Sequence, residues 1–136
     1  MNTSPFRPET ECERHGLGPN DWRTQAVYAI ECHQPDAYPE FRARWYARFE
    51  AKPPVELMTA AMDAERVVYV GWANDLLARL HDHAAGDHAP VLFASYPPER
   101  VIDVWPGDGI ERERQRAYEL KRAHPGWFLW CDGSPV

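Results

Sequence analysis

The chain has 136 residues, room for one domain with a real core and little more. A hydrophobic fraction of 44% and six tryptophans exclude a disordered chain, and 21 acidic residues against 15 basic ones argue against nucleic-acid binding by long-range attraction alone. The first sixteen residues hold no apolar run of the kind a signal peptide needs, and no stretch approaches a membrane span, so the expected location is cytoplasmic with no membrane partner.

Of the basic residues only Lys52 and Lys121 are lysine. An acidic, arginine-for-lysine composition fits a salt-loving microbe, where surface carboxylates keep proteins solvated. In concentrated salt, long-range attraction is screened for every protein, so binding there rests on local contacts and the net charge of -6 loses its force as an argument. Cys12, Cys32 and Cys131 stand in no CxxC arrangement and read as small buried thiols; a zinc site from Cys12, His15, Cys32 and His33 would match no common knuckle spacing.

Residues 1–20, with Pro5, Pro8, Gly16, Gly18 and Pro19 and little apolar pattern, predict an extended arm, leaving 21–136 as the domain. Residues 25–32, QAVYAIEC, alternate as a strand with Val27 and Ala29 on one face and Tyr28 and Ile30 on the other. In EFRARWYARFEAK, Phe41, Trp45 and Phe49 recur at helical spacing until Pro53 and Pro54 stop the run, and VELMTAAMDAE predicts a second short helix. RVVYVG, 66–71, is a second strand. Asn74 is the expected N-cap of a helix from Asp75 to about Ala85, ended by Gly86. A proline-rich loop leads to a third strand, RVIDVWP, then to a helix from Ile110 to about Ala123 and a last strand, WFLWC. The order predicts an α+β domain: a small, mostly antiparallel central sheet flanked by helices, with a helical insertion at about 36–65 between the first two strands.

Two helices carry polar groups on their apolar sides. Stepping from Leu76, Arg79 falls at about 300° and His83 at about 340°, beside the stripe of Leu76, Leu77 and Leu80. A guanidinium there calls for an anion. On the last helix Glu113 lies at about 300° from Ile110, inside the stripe formed with Ala117 and Leu120, and a carboxylate so placed calls for a cation. One reading is a plain ion pair between Arg79 and Glu113. The other puts both on a cleft where a phosphate meets a divalent ion, carboxylate and water being hard ligands suited to magnesium or manganese. His81 and His83 point roughly 200° apart and cannot share an ion. Arg42, Arg44, Arg48 and Lys52 give the inserted helix a positive bias, read either as a solvated face or as a contact for a phosphate backbone. Trp105, Trp127 and Trp130 lie in strand patterns and read as core.

Taken together, AVY at 26–28, YVG at 69–71, the NDLLARLHDH helix and the downstream IERERQRA resemble the GIY-YIG nuclease superfamily over about residues 25–131. Ala26 takes a position where that family usually has glycine, and the segment from Glu31 to Glu65 replaces its tight hairpin. The resemblance implies a metal-dependent endonuclease hydrolysing DNA phosphodiester bonds. It implies Tyr28 and Tyr69 lining the site, Arg79 steadying the phosphate, His83 supporting it, and Glu113 holding one Mg2+ or Mn2+ ion. Glu119, before LKRAHP, is the other candidate ligand; helical phase favours Glu113. Arg42, Arg44 and Arg48 would contact DNA, and a second copy of the chain is a candidate partner. A degenerate domain of the same kind, binding nucleic acid or protein without cleavage, is the alternative.

Overall fold

A computed structural model of the chain describes residues 6–34, 38–51, 62–87 and 90–136. Strand β1 (Ala26–Cys32) pairs antiparallel with β2 (Arg66–Ala73) on one side and with β3 (Pro98–Pro106) on the other. β4 (Trp127–Cys131) runs parallel to β2, and the two-residue β5 (Ser134–Pro135) turns back on it, giving the order β3-β1-β2-β4-β5. The result is an α+β domain on a five-stranded mixed sheet, mostly antiparallel. The one parallel pair needs the long crossover through the helix that precedes β4.

The alternation in β1 is real, and both of its faces are buried. Tyr28 and Ile30 belong to one apolar cluster, Val27 and Ala29 to the other. A strand on each side and a helical layer on each face leave this central strand no wet side. The first face is covered by α1 (Pro8–Arg14), by Trp45 of α2 (Tyr38–Phe49) and by α3 (Leu76–Ala85), which buries Leu76 and Leu80. Fully burying each such leucine stabilises the fold by about 1.5–3 kcal/mol. The second face is covered by α4 (Glu113–Ala123), through Ala117 and Leu120.

Three expectations are corrected. The N-terminal arm is not extended throughout: Pro8 sits in the first turn of α1, where its missing N–H costs nothing, and Glu11 and Cys12 are buried against the sheet. The cap of α3 is Asp75 rather than Asn74. Its Oδ1 accepts the Ala78 N–H at 3.0 Å, while the Leu76 and Leu77 N–H groups donate to the Thr24 and Trp22 carbonyls, so the first turn is already satisfied. The last helix starts later as α-helix, residues 110–112 forming a single 3-10 turn. Gly86, at φ +80°, ends α3 as expected. Of the segment between β1 and β2, α2 is described, with the Trp45 and Phe49 rings 4.6 Å apart; most of the predicted second helix lies outside the described residues. No helix among the described residues is long and apolar enough to cross a membrane.

Candidate functional site

Tyr28 on β1 lies directly across from Gly71 on β2 and diagonally from Tyr69, so both phenol rings rise from the same face of the sheet. Their centroids are 6.1 Å apart. Gly71 makes this packing possible. A Cβ there would lie 2.7 Å from Tyr28 Oη, 2.7 Å from Tyr69 Cε2 and 2.8 Å from Tyr69 Oη, so both hydroxyls fold over the space its side chain would fill. A glycine inside a strand pattern signals close approach of this kind, though nothing in the sequence says what approaches.

His83 closes the pair from α3. It is buried, and its Nε2 shares a hydrogen bond with Tyr28 Oη across 2.6 Å, the tautomer of the ring setting which group donates. Nδ1 of the same ring is buried without a hydrogen-bond partner among the described residues. Phe93, from the 3-10 turn Val91–Ala94, sets its ring edge-on to both His83 (5.1 Å) and Tyr69 (5.2 Å). Burial first, and then the Arg79 charge, bring the His83 pKa down to about 4, so the ring is neutral at pH 7.

Arg79 stands one turn before His83, half-buried as the helical phase predicts. Its guanidinium has no ion pair or hydrogen bond among the described residues, yet its charge lowers the pKa values of Tyr28, Tyr69 and His83 together. That common influence puts it within electrostatic reach of the phenol pair. Burial outweighs it: Tyr28 is raised well above the ordinary phenol range and Tyr69 is pushed up to about 12. The two rings also differ. Their mutual contact raises Tyr28 and lowers Tyr69, and Tyr69 is the more exposed.

Glu113 comes from the opposite face. α4 packs beneath the sheet, but β4 stops at Cys131, opposite Val70, and leaves the next part of the β2 edge uncovered. Cys131 Sγ–H donates to Glu113 Oε1 at 3.5 Å, and the Trp72 backbone N–H lowers the carboxyl pKa from that edge. Burial raises the Glu113 pKa above its ordinary value, the two donors opposing the shift, and no cation lies within ion-pair distance among the described residues. Its negative charge raises both Tyr28 and Tyr69. Glu119 takes no such part: it is bound by Arg116 at 3.2 Å and by Gln115 at 3.1 Å.

The simple ion pair between Arg79 and Glu113 is therefore not formed. The two charges act on the same tyrosines from different helices without touching. No cluster of three or more His, Cys, Asp or Glu suited to a metal occurs among the described residues, and Cys12, Cys32 and Cys131 are free buried thiols. His81 lies on the outer side of α3, paired with Glu9 at 2.7 Å. On α2, Arg42 and Arg48 are exposed, while Arg44 is half-buried and donates to the Ser95 carbonyl at 3.3 Å, which favours an anchoring role for it. Of the five side chains singled out in the sequence, the structure brings Tyr28, Tyr69 and His83 into contact and leaves Arg79 and Glu113 within electrostatic reach of the two phenols; the sequence does not point to Gly71 beneath them, to Phe93 beside them or to the Cys131 thiol on Glu113. Comparison with known proteins gives no significant match: no protein-family model, curated protein or solved structure pairs with the chain.

Proposed function

We propose that the protein is a metal-dependent endonuclease that hydrolyses DNA phosphodiester bonds at a GIY-YIG-like site, with the segment between β1 and β2 as a helical insertion beside it. One observation carries the reading: among the described residues the Arg79 guanidinium and the desolvated Glu113 carboxylate each lack an ion-pair partner, and both act on the same pair of phenols while staying apart. A structural role alone would bring such charges together, since unpaired half-buried charge costs stability. Charges held apart leave room for an anionic substrate beside the arginine and a cation beside the acid.

Glu113 suits a magnesium-type ion. Such ions keep most of their water and take one or two carboxylates plus substrate oxygens, so a lone acid fits better than a full protein cage. Bound there, Mg2+ or Mn2+ would supply Lewis acidity at the phosphoryl oxygens. Arg79 then binds the scissile phosphate, and its fixed charge stabilises the extra negative charge of the transition state. Tyr69, the more exposed phenol and held protonated by a pKa pushed up to about 12, orients the attacking water by accepting a hydrogen bond through its oxygen, and the water's proton leaves to solvent. Tyr28, fully buried and bonded to neutral His83, holds Tyr69 and Arg79 in register and stays protonated.

A plasmid-nicking assay tests the assignment. Arg79→Ala and Glu113→Gln should each lower magnesium-dependent nicking by roughly a hundredfold or more, the scale of a lost electrostatic stabiliser. Unchanged nicking in both variants removes the assignment. The complete burial of Tyr28 favours a second reading, a domain that binds DNA without cutting; it predicts DNA affinity that weakens in Arg79→Ala with no nicking by the wild type.

A further inference from the structure

The outer edge of β3 carries a second cluster that the proposed chemistry does not use. Relative to β1, Ile30 pairs with Val101 and Ala29 with Asp103, so Ile102 is an extra residue: a β-bulge, which bends the strand locally. The edge at Val101 is capped by side chains of the N-terminal segment. The Val101 N–H donates to Glu11 Oε1 at 2.7 Å, and His15 Nε2–H donates to the Val101 carbonyl at 2.7 Å. Over the bulge lies a cavity of about 260 Å³ lined by Arg14, His15, Arg100, Val101 and Ile102.

Both guanidiniums in this cavity are anchored through a single nitrogen. Arg14 uses Nη1 on the buried Glu11 carboxylate, at 3.1 and 3.2 Å. Arg100 uses Nε on Glu31, at 2.6 Å, and Glu31 is shared with Arg66 at 2.9 Å. The remaining two nitrogens of each have no partner among the described residues, and neither carboxylate lines the cavity. Within this ion-pair group three guanidiniums, of Arg14, Arg66 and Arg100, share two carboxylates, of Glu11 and Glu31. Anchored guanidiniums lose little further freedom on binding and present planar forks suited to oxygen anions.

We infer that this cavity is an anion site for a tetrahedral phosphate group, either a free phosphate or a phosphate of a nucleic-acid backbone. It is independent of the tyrosine site and survives if nuclease activity is absent. Inorganic phosphate is the first probe, titrated into the full chain at constant ionic strength with chloride as control and followed by thermal melting. Phosphate should raise Tm where chloride does not. Arg100→Gln and Arg14→Gln should each weaken phosphate affinity about tenfold or more, and Arg100→Lys should recover only part, since an ammonium lacks the fork. The second probe is a short DNA duplex. If the backbone is the source, Arg100→Gln weakens DNA binding and lowers the slope of log affinity against log salt by about one. If free phosphate is the source, duplex binding is unchanged while phosphate affinity falls. A wild type indifferent to phosphate, or variants that respond as it does, overturns the inference.

Discussion

Glu31 on the sheet and Glu113 at the start of the helix beneath it are two carboxylates that the molecule treats in opposite ways. Glu31, on β1, is clamped by Arg66 at 2.9 Å and Arg100 at 2.6 Å from the flanking strands. Glu113 receives the Cys131 thiol but, among the described residues, no cation within ion-pair distance, although Arg79 acts on the same phenols and is itself without an ion pair there. Neutralised charge at Glu31 ties three strands together. Charge left without an ion-pair partner among the described residues at Glu113 and Arg79 is what the proposed function would use to hold a ligand.

The sharpest test of that contrast lies with the third unsatisfied group, His83. Its folded pKa of about 4 lies below the ordinary 6.5, so the unfolded chain takes up a proton first as pH falls. The stability linked to the neutral ring is complete above about pH 6.5. It is lost as pH falls from there through 4, up to about 3 kcal/mol in all, and does not change below. Urea unfolding at pH 7, 5.5 and 4.5 should show this loss in the wild type, and His83→Gln should remove that share of the slope. Equal slopes would mean that the ring finds a partner on protonation, and the site would then not be under electrostatic tension.

Glu31→Gln comes next, with an expected loss of about 1–3 kcal/mol. It removes two charge-assisted bonds, but from arginines that remain partly in water. Nicking, if present, should survive. A variant as stable as the wild type would reduce the Glu31 clamp to a screened surface contact and weaken the comparison from its other side.

What could be read from the sequence follows from how local each cause is. Strand β2, α3 and Gly86 are written in short-range periodicity and one left-handed position, so they are legible. The phase of Glu113 on its helix is equally local. Helix α1 was hidden because its buried face includes Glu11, a residue whose burial makes sense only once the Val101 N–H at the edge of β3 needs an acceptor. The cap shifted by one residue because Asn74 and Asp75 are equivalent in propensity, and the bond to Ala78 selects Asp75. Trp72 and Cys131 meet Glu113 only where parallel β4 ends, and that pairing, set by the crossover through α4, has no local signature. Phe93 reaches the site from a proline-flanked turn without periodicity.

The smallest effect is the most diagnostic. Glu113→Gln keeps an acceptor for the Cys131 thiol but removes the charge, so the contact stays and only desolvation is relieved. Because burial raises the carboxyl pKa, the ionised acid opposes folding at neutral pH. That cost disappears at low pH, where both folded and unfolded chains are protonated. At pH 7 the variant should therefore melt higher than the wild type. Partial exposure keeps the gain under about 1 kcal/mol, a few degrees in Tm, and it should shrink as the solution is acidified. Magnesium should narrow the gap by stabilising the wild type alone, since the cation binds the folded acid and not the amide. A variant that gains stability while losing nicking would separate the cost of the open carboxylate from its use. A variant that loses stability would mean that the charge is already compensated within the fold, and Glu113 would belong beside Glu31 as an architectural residue.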